Sequence, residues 1–144
     1  MTNRQYFEQA IFLNQRIDSY QQELDQLRST ATSISSPIYG GGRVQTPSAH
    51  EAPFVKYVDR LMAFEEKINA EIDALYALKI EMEEVINELQ SKEEQLVLRY
   101  RYICNMTWKE VGARLNVDQR TAQRWNELAL AHAVQPSDKN HSIL

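Results

Sequence analysis

Apolar residues recur at alternating intervals of four and three positions along the first 28 residues of the chain. They are Tyr6, Ala10, Leu13, Ile17, Tyr20, Leu24 and Leu27. This heptad spacing is typical of a helix that packs one face against a second helix. The pattern therefore predicts a first helix over residues 3–28.

The same spacing returns after Pro53. Its apolar positions are Phe54, Val58, Leu61, Ile68, Ile72, Leu75, Met82, Ile86 and Leu89. Between the two patterns, residues 29–53 contain small polar residues, a glycine triplet and three prolines, a composition that predicts a loop. Such a connection lets the two helices fold back on each other. Residues 1–90 are therefore predicted to form a long antiparallel coiled-coil hairpin.

Further apolar positions widen both helical faces beyond what a two-helix hairpin can cover. They are Phe7, Ile11, Tyr57, Met62, Phe64, Tyr76 and Leu78. Because apolar surface is unfavourable in water, these positions predict that copies of the chain pair through their N-terminal helices. The hairpin is thus expected to be a homo-oligomerisation element.

Beyond the second pattern, three shorter helices are predicted, each beginning with a residue that caps a helix N-terminus. Ser91 is followed three residues later by Glu94, and Thr107 by Glu110, which is the spacing of a capping box. Asp118 is an N-cap for the third of these helices, which is predicted from Gln119 to about His132.

The turn before the last helix is short, and two residues suit it. Asn116 stands where a left-handed residue is usually required, and Gly112 would let the second short helix cross the third closely. The predicted core between these helices is Val111, Leu115, Val117, Ala122, Trp125 and Leu128, and the first short helix is predicted to group Leu96, Tyr100 and Ile103 on one face. Three short helices with a tight turn before the last predict an all-α helix-turn-helix domain over residues 91–133, with residues 134–144 as a flexible tail.

The last predicted helix leaves a polar face of the kind that reads DNA. Arginine can hydrogen-bond guanine through two donors and glutamine can do the same for adenine, each worth roughly 1–3 kcal/mol of discrimination. Positions in and before the second short helix suit phosphates, which orient a protein on the duplex. The predicted DNA-binding residues are Thr107, Trp108, Lys109, Arg114, Gln119, Arg120, Thr121, Gln123 and Arg124.

Charge is divided unevenly along the chain, whose net charge is −4. Residues 1–91 contain 8 Lys and Arg against 14 Asp and Glu, whereas residues 92–133 contain 7 against 5. An acidic first part and a mildly basic last part suit a C-terminal module that faces nucleic acid.

Other classes of function find little support in the composition. The single Cys104 excludes an intramolecular disulfide and a cysteine-based zinc site, and the three histidines share no ligand spacing, so no metal or cofactor is predicted. No arrangement of nucleophile and base occurs, so an enzyme is not expected. No apolar run approaches the roughly 18 residues of a membrane span, and a reducing cytoplasm is the expected location.

Residues 93–130 read EEQLVLRYRYICNMTWKEVGARLNVDQRTAQRWNELAL. The LRY helix, the pattern T-x-x-E-V-G-x-x-L-x-V and the closing AL resemble region 4 of bacterial sigma factors, which reads promoters. With its helical front part, the whole chain resembles the RinA/ArpU-like late-gene activators of phages and mobile elements of Gram-positive bacteria. The resemblance implies a sequence-specific transcription regulator, an activator of phage-type late genes in a bacterial host cell, with double-stranded DNA as partner and RNA polymerase as a further candidate.

The chain departs from sigma region 4 at several positions. Asn116 and Asp118 stand where those proteins have Gly and Ser, and both keep the chemistry of the turn and the cap. Trp125 replaces a smaller apolar residue and the reading positions differ, so the ordinary minus-35 element is not the expected target.

Two alternatives stay open beside the regulator. One is a DNA-packaging adaptor that resembles a terminase small subunit, although those usually have the DNA module at the N-terminus. The other is an interaction protein that uses the sigma-like fold against polymerase without reading DNA, although Arg120 and Gln123 favour DNA.

Overall fold

The computed structural model describes residues 1–35 and 47–138. The α-helices there are α1, Asn3–Ser35; α2, Pro47–Asn87; α3, Lys92–Leu98; α4, Trp108–Leu115; and α5, Gln119–His132. A π-helical segment, Arg99–Ile103, continues directly from α3. No strand occurs in the described residues, which confirms the predicted all-α class. The coiled-coil packing and the helix-turn-helix assignment stay predictions.

The two long helices extend further than the heptad patterns predict. α1 continues to Ser35 because residues 29–35 contain neither glycine nor proline. The first residue beyond this stretch that disfavours a helix is Pro37, which acts on the residue before it. α2 begins at Pro47, where a first-turn proline is tolerated because its missing N–H would have no helical partner. The predicted loop over residues 29–53 is therefore too long at both ends. The glycine triplet at 40–42 lies outside the described residues.

Tertiary contacts divide the chain into two compact units. We call Gln15–Asp73 the middle unit, and Met1–Asn14 together with Ala74–Leu144 the terminal unit. The predicted division after residue 90 differs from this one, because it assigned the start of α1 and the end of α2 to the hairpin alone.

In the middle unit, α1 and α2 run antiparallel. Arg16 Nη2 donates a hydrogen bond to Glu71 Oε1 at 2.6 Å, and Arg28 Nη2 donates one to Glu65 Oε1 at 2.9 Å. Among the described residues of this unit, the buried apolar ones are Ile17, Leu24 and Ile68. These positions belong to the heptad patterns, which therefore predict the buried face correctly here.

The core of the terminal unit includes the first turns of α1. Phe7 is fully buried, and its ring centroid lies 5.3 Å from that of Tyr102. The hydroxyl of Tyr6 donates to Glu81 Oε2 at 2.8 Å, and burial raises the pKa of Tyr6. Other large residues that are fully buried include Met82, Ile86, Val97, Leu98 and Val111. Phe7, which was predicted to need a second chain, is thus covered within its own chain.

The residues that follow α5 pack against the N-terminus. Gln135 is buried, and its Nε2 donates to Met1 O at 3.0 Å and to Asn3 Oδ1 at 2.8 Å. Residues 136–138 are helical. Residues 135–138 are thus packed or helical within the span for which the sequence predicts a flexible tail, and residues 139–144 lie outside the described part of the chain.

Candidate nucleic-acid interface

A complete capping box begins α4. Thr107 Oγ1 accepts a hydrogen bond from the backbone N–H of Glu110 at 3.2 Å, and Glu110 Oε1 accepts one from the backbone N–H of Thr107 at 3.4 Å. This confirms the cap predicted from the spacing. The hydroxyl and the backbone N–H of Thr107, which is one of the predicted DNA-binding residues, are therefore both used inside the capping box.

The turn from α4 to α5 depends on close backbone contact. Asn116 has a φ of 56°, the left-handed conformation that the sequence predicts there. A Cβ built on Gly112 would lie 2.9 Å from the carbonyl oxygen of Val117, closer than real Cβ atoms come to such an oxygen. Only glycine therefore lets α4 approach this turn so closely.

The N-terminus of α5 is held by Asp118. Its Oδ1 accepts a hydrogen bond from the backbone N–H of Thr121 at 2.9 Å, as an N-cap should. Hydrogen bonds from the side chain and backbone of Thr121 lower the pKa of Asp118, with smaller contributions from the positive charges of Arg120 and Arg124. The carboxylate form thus prevails at neutral pH, at the favourable end of the helix dipole.

α5 buries a different face from the one predicted. Ala122 is buried as expected, but the next buried positions are Asn126 and Ala129, whereas Trp125 is half-buried and Leu128 is 47% exposed. The buried positions are thus spaced by four residues and then by three, as expected for one face of a helix. The prediction used intervals of three because Asn126 is polar and gave no apolar signal.

α3 likewise differs from its predicted apolar face. Leu96 is exposed, while Val97 and Leu98 are fully buried. Ser91 Oγ accepts from the backbone N–H of Glu94 at 3.3 Å, but the carboxylate of Glu94 lies 2.8 Å from His132 Nδ1. Only one half of the predicted reciprocal cap is therefore formed.

A cleft of about 510 Å³ brings together several of the predicted DNA-binding residues. It is lined by Arg4, Trp108, Arg120, Gln123, Arg124, Asn126 and Glu127. Three guanidinium groups thus face one carboxylate, so the cleft is positively charged and suits an anion such as a DNA phosphate.

Trp108 is supported by an arginine that the sequence did not single out. The guanidinium carbon of Arg101 lies 4.8 Å from the centre of the Trp108 ring, which is within the range of a cation–π interaction. Arg101 Nη1 also donates to Met106 O at 2.8 Å. The Trp108 indole that lines the cleft therefore has the Arg101 guanidinium packed against one face of its ring.

The other predicted contacts do not line the cleft. Lys109, Arg114 and Gln119 are exposed, and Thr121 is half-buried with its N–H bonded to Asp118. The predicted residues therefore fall into a cleft group and an outer group.

Arg4 and Asn126 also line the cleft, and sequence reasoning missed both. Asn126 is 1% exposed, and its Oδ1 has no hydrogen-bond partner among the residues that the structure describes. No local pattern could have revealed Arg4, because it reaches the cleft only through the packing of α1 against α5.

Among residues 1–35 and 47–138, no three His, Cys, Asp or Glu side chains converge as metal ligands would. None of the helices in the described part is both long and apolar enough to cross a membrane.

Comparison with known proteins gives one result at the level of family. Searches of curated proteins and of solved structures each return no match. The sequence profile of DUF722, a family described as proteins of unknown function, matches residues 6–131. Because that match covers most of the chain, the protein belongs to the DUF722 family.

Proposed function

We propose that this protein is a sequence-specific DNA-binding transcription regulator in which α4, the turn and α5 act as a helix-turn-helix. The observation that carries the proposal is the cleft, where Arg120, Gln123 and Arg124 project from one face of α5 beside Trp108. A recognition helix needs this combination of a capped N-terminus, a buried rear face and an exposed polar front face.

The residue types on α5 match the chemistry of base edges in the major groove. Arg120 and Arg124 lie four residues apart and both are exposed, so they share one side of the helix. Their paired donors suit guanine O6 and N7, and the amide groups of Gln123 suit adenine N6 and N7. α5 is thus proposed to supply the sequence preference.

The predicted residues outside the cleft are proposed to bind the phosphates of the DNA backbone. Lys109 and Arg114 are exposed on α4, where point charges can meet phosphates and orient α5 in the groove. So few positive charges give weak non-specific binding, and two or more copies of the module on one DNA would raise the overall affinity.

The regulatory context rests on the resemblance to sigma region 4 and to RinA/ArpU-like activators. We propose activation of phage-type late genes in the cytoplasm of a bacterial host, with RNA polymerase as a second partner. The resemblance covers region 4 alone, so we propose that the protein acts beside sigma.

The proposal is tested by measuring binding to the DNA that surrounds the protein's own gene, at about 150 mM salt. We expect wild type to prefer one segment over random DNA by at least about a thousandfold. The variant R120A/R124A is expected to lose roughly 2–6 kcal/mol of that preference, since each arginine is assigned to one base pair.

The matched control is K56A/R60A, which removes the same charge from exposed positions of α2. It should keep the preference of wild type. Wild type that binds every sequence equally would contradict the proposal. A ring of eight or more subunits, found by measuring mass in solution, would favour the DNA-packaging alternative.

A further inference from the structure

The first turn of α1 is anchored to the C-terminal end of α5. Asn3 Nδ2 donates to Leu130 O and to Ala133 O, each at 2.7 Å. These carbonyl groups belong to the last turn of the helix and its cap, where backbone acceptors have no helical partner. Phe7, one turn further along α1, is fully buried. Arg4 therefore lies between two residues, Asn3 and Phe7, that are packed against the rest of the terminal unit.

Arg4 uses this position to reach the exposed side of α5. Its Nη2 donates to Glu127 Oε1, and Nη1 lies 4.0 Å from Glu8 Oε1. The side chain of Arg4 is 45% exposed and lines the cleft together with Arg120 and Arg124. A third guanidinium group therefore stands beside the two on the proposed recognition helix.

The position of Arg4 matters for DNA binding because Glu127 is negatively charged. Glu127 is 62% exposed, and it follows Arg124 by three residues, so it lies on the side of α5 that faces the cleft. A duplex carries one negative charge for about each 1.7 Å of its axis, and an unpaired carboxylate there would repel it. Arg4 offsets that charge.

A guanidinium group can hold a carboxylate and still bind a second anion. It has five N–H donors in a planar fork, and the hydrogen bond to Glu127 uses one of them. Arginine is well suited to bidentate binding of phosphate. The side chain of Arg4 is also partly exposed, so it is accessible to a second anion.

We propose that Arg4 is a DNA-backbone contact: while it pairs with Glu127, it binds a phosphate of the same duplex that α5 reads. The inference rests on the proposed function and extends the DNA-binding surface to the first turn of α1. The interface is thus built from two segments at opposite ends of the chain.

The experiment measures the affinity of the full chain for its preferred segment and for random DNA over a range of salt concentrations. The variants are R4A, E127Q and R4A/E127Q. We expect R4A to weaken binding to both DNAs about tenfold, and to reduce the slope of log K against log salt by about one, as the loss of one phosphate contact does. E127Q is expected to tighten binding a few-fold by removing a repulsive charge.

The double variant separates a phosphate contact from mere neutralisation of Glu127. If Arg4 binds phosphate, R4A weakens binding about tenfold in the E127Q background too. A loss that disappears in that background would overturn the inference. The control R28A breaks a comparable exposed ion pair, with Glu65 in the middle unit, and is expected to bind as wild type does.

Failure of the inference can be told apart from failure of the proposed function. Binding that R120A/R124A weakens and R4A leaves unchanged overturns the role of Arg4 alone. Wild type that prefers no sequence overturns the proposed function and the inference with it. Melting temperatures of R4A and R4K, compared with wild type, detect any loss of folding, and R4K should recover part of the affinity because it keeps the charge.

Discussion

Gly112 lies where no side chain fits. Its missing Cβ leaves room for the carbonyl oxygen of Val117, and the backbone of Asp118 and Gln119 passes at 3.4 Å from the same point. These atoms belong to the turn and to the first turn of α5, so one glycine determines how closely α4 approaches the proposed recognition helix.

We predict that G112A lowers the free energy of unfolding by about 1–3 kcal/mol, because the added carbon forces the turn to shift. In an ordinary helix, Gly→Ala would instead raise the free energy of unfolding by about 1 kcal/mol through helix propensity. The sign of the change therefore shows whether the close contact with the turn outweighs propensity. Urea unfolding measures it.

The control for this prediction is A113S at the neighbouring exposed position of α4, which should change stability by less than about 1 kcal/mol. A G112A variant as stable as wild type would show that the turn can relax at little cost.

At the scale of single elements, the start of α1 is part of the terminal unit. Phe7 packs against Tyr102 of the π-helical segment, and Asn3 binds two carbonyl groups at the end of α5. Residues 91–133 therefore do not contain the whole core on which α3, α4 and α5 depend. The heptad pattern could not reveal this, because Phe7 stands beside the predicted apolar face rather than in it.

We predict that F7A lowers the free energy of unfolding by about 3–5 kcal/mol, since it removes a fully buried ring and leaves a cavity. F12A in the same helix is the matched control: its ring is 59% exposed, and the expected loss is below about 1 kcal/mol. Chemical unfolding followed by circular dichroism compares the two. Equal losses would contradict the role assigned to the first turns of α1.

At the scale of the whole molecule, the apolar positions of the long helices predict that copies of the chain pair. In the middle unit, α2 exposes Val55 and Met62, which are seven residues apart, and Asn69 stands exposed at the next heptad position. Apolar residues at this spacing pack in coiled coils, and an Asn among them can select the number of chains. A second copy of the chain is the proposed partner.

We predict that M62E shifts the protein toward the monomer, because a charge at a buried interface is unfavourable. Sedimentation equilibrium at micromolar concentration measures the change. A63E adds the same charge at the neighbouring exposed position and should leave the mass unchanged. Wild type that sediments as a monomer would refute the proposed pairing.

Local sequence determined where the short helices α4 and α5 begin and how the turn between them is built. The caps at Thr107 and Asp118 and the left-handed turn at Asn116 were all predictable, because each depends on contacts within a few residues. Long heptad patterns also predicted the buried residues Ile17 and Leu24 of the middle unit, since many repeats define a helical face.

Tertiary structure alone decided which faces α3 and α5 bury and which distant residues share the cleft. α5 is too short for a reliable apolar period, and its buried Asn126 gives no apolar signal. Arg4 reaches Glu127 only because Phe7 and Asn3 hold α1 against the rest of the terminal unit. Contacts between segments so far apart in sequence leave no local pattern. The sequence therefore predicts the recognition helix, whereas the packing of α1 determines that Arg4 lies beside it.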